Sequence, residues 1–366
     1  MDQPLYPGRK VKYQKKAACR DTKPHSATPN SMAKKHDNLI EKIADWDNLL
    51  LAHQRARAGK RDRLEVQTFS GDLWLHLGNI QHHLLAGSYQ MGVYRSFVVF
   101  EPKRREILAA PFGDRVVQHA VLNILAPVWD ACMIDDTFAC RPGKGVHVGV
   151  DRLQRWLRDM AANQPLTDVW IAKTDFSGYF KNIRHADLKR ICRRKIACQR
   201  TLQVLDTIID STPGGVGIPV GNLTSQWLAN LLGNELDQWV KRELGVKRYL
   251  RYMDDCVAIF PSQTQAQWFI ERLEARSAEH GLRFSKWSVH RASQGINMLG
   301  YRIWPTHKLL RRRAIVIFRR DMRHLRKRMD AGEVSPADVT SRIKAFVGHA
   351  KHADTWRLRC QLFNKG

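Results

Sequence analysis

Apolar residues recur along most of the chain at two spacings, one typical of helices and one typical of strands. Helical spacing places an apolar residue at every third or fourth position and continues over whole segments. The segments that this spacing predicts to be helical are 39–50, 71–87, 114–133, 150–162, 186–196, 200–209, 223–244, 265–281 and a stretch near 341–354.

Runs rich in β-branched and aromatic residues predict strands between these helices. Residues 94–110 contain two such runs around a polar turn, and residues 247–260 contain two around an acidic turn, so each segment predicts a hairpin. Single runs at 168–176 and 297–305 predict one strand each. Antiparallel strands interleaved with helices indicate an α+β fold.

The charge of the chain is its most informative bulk property. Among 366 residues, 61 Lys and Arg face 35 Asp and Glu, which gives a formal net charge of +26. Such an excess repels itself in a compact fold, and nucleic-acid binding is its commonest purpose. Binding to an anionic membrane surface is the alternative.

Basic residues are concentrated at both ends of the chain. Residues 1–36 hold nine Lys or Arg without apolar periodicity, which predicts a disordered tail that is either solvated or in contact with RNA. Residues 301–329 hold eleven basic residues and a single acidic one, Asp321. The second half of this segment has helical potential.

The chain lacks the signals of an exported or membrane protein. It has no apolar run of the roughly 18 residues that cross a bilayer, and its N-terminus lacks the apolar core of a secretory signal. Its seven cysteines include no CxxC pair, which argues against a disulfide framework and a zinc ribbon. We therefore expect a cytoplasmic protein.

Three acidic residues stand at positions suited to metal chemistry. Asp175 ends an apolar strand, and Asp254 and Asp255 lie in a Tyr-Met-Asp-Asp turn between two apolar runs. Adjacent carboxylates repel one another and are stabilised by a cation, and Mg²⁺ prefers such oxygen ligands. Two ions about 4 Å apart could activate an attacking hydroxyl and stabilise a leaving pyrophosphate. Taken singly, each acid could equally be an ordinary turn residue.

The order of the motifs around these acids resembles the reverse transcriptase family over about residues 37–305. TDFSGYF resembles its first catalytic block, GIPVGNLTSQWLANLL its Gly-x-Pro-x-Gly block, and RYMDDCVAIF its second catalytic block. SFVVFEPKRREI and DRVVQHAVLNIL resemble finger blocks, ACRPGKGVH the glycine-rich loop before the palm, and GINMLGYRI the block that grips the primer. The resemblance implies a right-hand polymerase with an antiparallel palm sheet. Its parts would be a basic tail at 1–36, fingers at 37–150, a palm with interleaved finger elements at 151–300, and a short helical basic thumb at 301–366.

The resemblance implies RNA-directed DNA polymerase activity and a role for each matching residue. Two Mg²⁺ ions, which Mn²⁺ could replace, would be held by Asp175, Asp254, Asp255 and the backbone carbonyl of Phe176. Nucleotide-binding residues would be Lys103, Arg105, Phe180, Val220 and Gly221. Primer–template contacts would come from Leu299, Gly300, Tyr301, Arg311, Arg312 and Arg313.

Some of these roles have a clear physical basis. Lys103 and Arg105 would grip the triphosphate and neutralise the charge that builds on the leaving group. The ring of Phe180 would leave no room for a ribose 2′-hydroxyl and so select deoxynucleotides. One departure concerns the lysine that follows the family's Gly-Leu-x-Leu segment and protonates pyrophosphate. Ser288 stands there, with Lys286 two residues before it, so the general acid stays open.

The sequences of two segments resemble one particular group within the reverse transcriptase family. GIPVGNLTSQWLAN and LGYRIWPTHKLLRR resemble reverse transcriptases of diversity-generating retroelements. Those bacterial and phage enzymes copy a template-repeat RNA with errors at adenines, and the cDNA replaces a variable repeat in a target gene, a process called mutagenic retrohoming. The implied partners are template RNA, the RNA/DNA hybrid, deoxynucleoside triphosphates and a small, basic, oligomeric helical accessory protein. A retron-type or stand-alone group II intron-like enzyme without a mutagenic role, and a non-catalytic RNA-binding module, are the alternatives.

Overall fold

The computed structural model describes residues 35–100 and 104–363. Residues 1–34 of the predicted basic tail therefore lie outside the described residues. So does Lys103, which is one of the predicted nucleotide-binding residues. His36 already belongs to the folded chain, because its backbone N–H donates to the Lys195 carbonyl at 2.8 Å and its carbonyl accepts from the Ala197 N–H at 2.8 Å.

The N-terminal part is mainly helical with one protruding hairpin. The helix predicted over residues 39–50 is two helices, because the Asp45 side chain accepts from the backbone N–H groups of Asp47 and Asn48 and begins a new helix there. The hairpin predicted within residues 94–110 is confirmed. The elements are α1 (Leu39–Ile43), α2 (Trp46–Ala56), α3 (Leu64–Gly71), α4 (Leu73–Ala86), β1 (Arg95–Val99), β2 (Arg105–Ala109), α5 (Phe112–Asp130) and α6 (Val146–Ala161).

The central part contains a four-stranded antiparallel sheet. Its elements are β3 (Trp170–Phe176), α7 (Tyr179–Asn182), α8 (His185–Arg193), α9 (Gln199–Ile209), α10 (Leu223–Gln238), β4 (Tyr249–Tyr252), β5 (Asp255–Phe260), α11 (Gln263–Glu279) and β6 (Phe284–Arg291). The strand order is β4-β5-β3-β6. A π-helical turn over Trp239–Glu243 extends α10. Strand β6 lies outside the segments predicted as strands, because it is largely exposed and has no apolar run.

Both faces of strands β3, β4 and β5 are covered, which explains why these three strands read as nearly continuous apolar runs. Neighbouring residues of each strand point to opposite faces and join two different cores. The core shared with α5, α9, α10 and α11 takes Ala172, Tyr249, Cys256, Ala258 and Phe260. The core shared with α6 and the C-terminal part takes Ile171, Leu250, Val257 and Ile259.

The C-terminal part joins a small sheet to three helices. The single strand predicted at 297–305 is a hairpin, because Leu299 and Gly300 have φ values of 52° and 90° and form a two-residue turn. A third strand completes this sheet. The elements are β7 (Ile296–Met298), β8 (Tyr301–Ile303), β9 (Lys308–Leu310), α12 (Arg312–Asp330), α13 (Pro336–Ala350) and α14 (Trp356–Phe363).

The predicted α+β class is confirmed by this mixture of helices and antiparallel sheets, which is consistent with a right-hand polymerase. None of the helices in residues 35–100 and 104–363 combines the length and apolar content needed to cross a membrane.

Candidate active site

The pairing of β3 with β5 brings the three predicted aspartates to one edge of the central sheet. Asp175 and Asp255 are direct partners in the antiparallel register, so their side chains share a face. Asp254 lies in the preceding turn, where its carbonyl accepts from the Phe176 N–H at 3.3 Å. Met253, just before it, has a left-handed φ of 53°. Two strand ends that are distant in sequence therefore build a single acidic site.

The electrostatics of this site favour a bound cation. Burial, together with the charges of Asp255 and Asp175, raises the pKa of Asp254 above its ordinary value. Lys173, two residues before Asp175 on the same strand face, places its ammonium 3.2 Å from the Asp255 carboxylate. The same ammonium donates to the Asn297 carbonyl at 2.9 Å. Lys173 thus neutralises part of the negative charge of the three aspartates. The remaining negative charge is not balanced by this lysine.

The donor set fits a divalent metal ion in its chemistry. Hard carboxylate oxygens and a backbone carbonyl are the ligands that Mg²⁺ and Mn²⁺ prefer. Within the described residues, no three acidic, histidine or cysteine side chains are gathered closely enough to hold an ion as they stand. Asp175, Asp254 and Asp255 would hold the ion once their side chains turn toward it.

A cavity of about 840 Å³ opens over the aspartates. Four residues predicted to bind the nucleotide line it, namely Arg105, Phe180, Val220 and Gly221. The β1–β2 hairpin closes one side, because the Leu108 N–H donates to the Val220 carbonyl at 3.2 Å. A Cβ atom at Gly221 would lie 3.0 Å from the Leu108 carbonyl oxygen, so glycine permits this close approach.

The cavity also contains residues that the sequence did not single out. These are Arg104, Glu106, Ala139, Cys140, Ser177, Gly178, Tyr179, Lys181, Gln226, Tyr252, Met253 and Ser285. Cys140 has a left-handed φ of 56°, and its thiol donates to the Gln226 amide oxygen at 3.1 Å. Both lie in recognised motifs, the glycine-rich loop and the Thr-Ser-Gln of the Gly-x-Pro-x-Gly block, which was the available signal. Burial raises the pKa of the Cys140 thiol.

The two candidates for the general acid lie on the aspartate face of the sheet. Lys286 is the direct partner of Asp175 in the pairing of β3 with β6, and Ser288 is the partner of Lys173. Directly opposed residues of antiparallel strands point to the same face. The register shifts between Asp175 and Phe176, where Ser285 has no partner in the pairing, and the Ser285 hydroxyl donates to the Asp175 carbonyl at 3.1 Å. Both candidates are exposed, and only Lys286 carries an acidic ammonium.

The residues predicted to contact the primer occupy the β7–β8 turn. Leu299 and Gly300 form its half-buried surface, whereas the Tyr301 side chain is fully buried. The Tyr301 hydroxyl donates to the carbonyl of His349 on α13 at 2.8 Å. A Cβ atom at Gly300 would lie 3.0 Å from the His349 ring. The turn therefore presents Leu299 and Gly300, while Tyr301 anchors it to α13.

The basic C-terminal segment begins beside this turn. The Arg311 backbone N–H donates to the Gly300 carbonyl at 2.9 Å. Arg312 and Arg313 are exposed in the first turn of α12, and Arg311 is half-buried. The structure thus brings the predicted primer-contact turn and the predicted basic helix together.

Comparison with known proteins relates these features to one family. The model of the family described as "Reverse transcriptase (RNA-dependent DNA polymerase)" matches residues 101–303, more than half of the chain. Protein YkfC of Escherichia coli (strain K12) is 25% identical over 323 residues, which cover 75% of this chain and 81% of YkfC.

Two further matches cover smaller shares of the proteins concerned. Group II intron-encoded protein LtrA of Lactococcus lactis subsp. cremoris is 25% identical over 146 residues, which cover 38% of this chain and 23% of LtrA. A structure of apo telomerase from Candida Tropicalis superposes with a TM-score of 0.47 at 11% identity, over 59% of this chain and 48% of that one.

Proposed function

Since this chain belongs to the reverse transcriptase family, we propose that it is the RNA-directed DNA polymerase of a diversity-generating retroelement, copying a template-repeat RNA with errors at adenines. DNA synthesis on an RNA template from nucleotide substrates is the activity of the family. The proposal adds the mutagenic role, the two Mg²⁺ ions and the residue assignments, with a small basic helical accessory protein as partner.

The chemistry proposed for the site is nucleotidyl transfer. Asp175, Asp254 and Asp255 would hold divalent ions, which would supply positive charge at the attacking hydroxyl and at the leaving pyrophosphate. Arg105 binds the triphosphate from the hairpin side of the cavity and neutralises charge as the bond to pyrophosphate breaks. Lys286 is the proposed general acid, since it stands directly across from Asp175.

One observation carries the mutagenic proposal: Val220 and Arg105 line the same cavity as the aspartates. The valine side chain offers neither a hydrogen-bond donor nor an acceptor to an incoming nucleotide. Glutamine, which many faithful relatives carry at this position, could hydrogen-bond the nucleotide's sugar. When fewer contacts orient a correctly paired nucleotide, the difference in transition-state free energy between a correct and an incorrect nucleotide becomes smaller. The wording of the Gly-x-Pro-x-Gly block supports the same assignment.

Val220→Gln tests this proposal. We expect it to lower misincorporation opposite template adenine roughly tenfold, equivalent to about 1.4 kcal/mol of discrimination, with little change in total synthesis. The measurement is deep sequencing of cDNA made on one adenine-rich RNA. Val216→Gln is the matched control, since Val216 is 47% exposed in the same loop and lies outside the cavity lining. Equal adenine error rates at comparable yield would make Val220 a packing residue.

A second candidate is a faithful enzyme of the group II intron or retron type. The match to LtrA, named as a group II intron-encoded protein, favours the intron type. The same sequencing experiment separates the two functions. A mutagenic enzyme concentrates its errors at template adenines, whereas a faithful one shows a low rate at all four bases.

The basic segment over residues 301–329 is proposed to be part of a thumb that tracks the template–primer backbone. Changing Arg311, Arg312 and Arg313 to glutamine should weaken binding equally on all sequences. It should also flatten the log–log salt dependence by roughly 1 for each phosphate that the variant no longer neutralises. Binding titrations at several salt concentrations measure the slope. Arg272→Gln, which changes an exposed arginine on α11 in the same way, is the control, and an unchanged slope in the triple variant would contradict the thumb assignment.

A further inference from the structure

A buried ion pair lies directly beneath the acidic turn. The side chains of Arg251, on β4, and Asp237, on α10, are both 0% exposed. The Arg251 Nε and Nη2 atoms donate to the two carboxylate oxygens of Asp237 at 2.9 and 2.8 Å. Tyr249 and Thr137 donate their hydroxyls to the same carboxylate at 2.8 and 2.7 Å. The pair is therefore fully hydrogen-bonded and fixed in direction.

The remaining donors of Arg251 connect α10 to the turn. Nη1 donates to the Met253 carbonyl at 3.0 Å and to the Asn230 side-chain oxygen at 3.2 Å. Nη2 donates to the Asn230 carbonyl at 3.1 Å. One planar guanidinium thus contacts Asp237 and Asn230 on the helix and Met253 in the turn, a geometry that a lysine ammonium does not reproduce.

The residue that this guanidinium holds has an unfavourable backbone conformation. Met253 has a φ of 53°, which costs free energy for a residue with a side chain and persists only where the surroundings impose it. It directly precedes Asp254 and Asp255. A change in its carbonyl direction would rotate the peptide that leads into both acids.

Helix α10 is shaped to admit the guanidinium. A Cβ atom at Gly233 would lie 2.3 Å from the Arg251 Cζ atom and 2.4 Å from Nη1, closer than real atoms approach. Only glycine leaves this space. A buried ion pair also contributes little stability compared with an apolar pair of similar volume. Its position under the turn, with a donor on the Met253 carbonyl, therefore points to a role in geometry rather than in stability.

We propose that Arg251 is a positioning residue for DNA synthesis: its guanidinium fixes the Met253 carbonyl against α10 and so sets the direction in which Asp254 and Asp255 project into the cavity. The inference rests on the proposed roles of these two acids. It is independent of the mutagenic proposal, because it concerns the rate of synthesis and not its errors.

The decisive variant is Arg251→Met combined with Asp237→Asn in the full chain. It removes both charges and keeps an oxygen at position 237 for Tyr249 and Thr137, but it leaves no donor for the Met253 carbonyl. Arg251→Met alone strands a buried carboxylate and should melt at a lower temperature. The second change should restore the melting temperature without restoring the rate of synthesis.

The expected readings separate positioning from stability. On a primed RNA template, kcat of the double variant should fall by at least about tenfold, since small misplacements of reacting groups are costly. Template–primer affinity should stay within about twofold of the parent. Amide hydrogen exchange, which needs no bound metal, should become faster over residues 249–260 and stay unchanged over α9. Recovery of the parental kcat together with the melting temperature would overturn the proposal.

Two further variants keep the test decisive. Leu205→Ala, in the buried core on α9, lowers stability without contacting the turn. Suppose that Leu205→Ala and Arg251→Met lower the melting temperature equally and also lower kcat equally. The role of Arg251 would then be structural only. Should the double variant not fold, Arg251→Lys retains the charge beside Asp237 but cannot reach Asn230 and Met253 as well. A parental kcat in Arg251→Lys would also overturn the proposal.

Discussion

Asp254→Asn is expected to reduce DNA synthesis by at least about 100-fold, because losing one metal ligand costs several kcal/mol of transition-state stabilisation. The substitution keeps the shape of the side chain and removes its charge. It also removes a charge whose burial, together with repulsion by Asp255 and Asp175, raises the pKa of Asp254, so the fold should be at least as stable as that of the parent. Primer extension on RNA and thermal unfolding measure the two quantities.

Asp175→Asn should behave in the same way, since Asp175 and Asp255 are partners across the sheet. Asp168→Asn is the matched control, because Asp168 is an exposed carboxylate just before the same strand. Its activity should equal that of the parent. If either site variant retained more than about a tenth of the parental activity, the loss would be too small for a metal ligand. That result would contradict the assignment of the substituted aspartate as a metal ligand.

Phe180→Val is expected to lower the preference for deoxynucleotides over ribonucleotides by about 100-fold, equivalent to about 2.7 kcal/mol. The half-buried ring of Phe180 lines the cavity, and its backbone carbonyl accepts from the Ile218 N–H at 2.9 Å. The backbone is therefore fixed, and shortening the side chain opens space where a ribose 2′-hydroxyl would lie. The ratio of kcat/KM for matched dNTP and rNTP substrates measures the change.

Phe180→Tyr is the control for this prediction. It keeps the aromatic ring in place, so the preference for deoxynucleotides should remain close to that of the parent. Rejection of ribonucleotides by the valine variant at the parental ratio would show that another residue of the cavity excludes the 2′-hydroxyl. Tyr179 is not that residue, because its side chain is buried and its hydroxyl donates to the Ala229 carbonyl at 2.8 Å.

The sequence predicted most helices and the α+β class because apolar spacing reports burial directly. It failed where burial is not the cause of structure. Strand β6 is exposed and is held by backbone pairing with β3, and the interruption at Asp45 depends on a side-chain cap. Neither feature changes the apolar spacing, which is the signal that located the other elements.

The candidate site likewise contains residues that the sequence could reveal and contacts that it could not. The three aspartates could be found because they stand in recognisable motifs at strand ends. The contact of Lys173 with Asp255 and that of Arg251 with Met253 depend on strand register and on side-chain direction. A lysine within an apolar run and an arginine before a tyrosine carry no such information in the linear sequence. Their partners became known only when the strands were paired.

The burial of both faces of the central strands also limits which insertions and deletions the gene for this protein can tolerate. In β5, Val257 and Ile259 belong to one core, whereas Cys256, Ala258 and Phe260 belong to the other. Inserting or deleting one codon there would exchange the two sets and displace the acid at the strand's start. Such an event would damage both cores and the acidic edge at once, whereas the connection between α12 and α13 can absorb it in an exposed turn. Insertions and deletions should therefore accumulate between the C-terminal helices and be purged from the central strands.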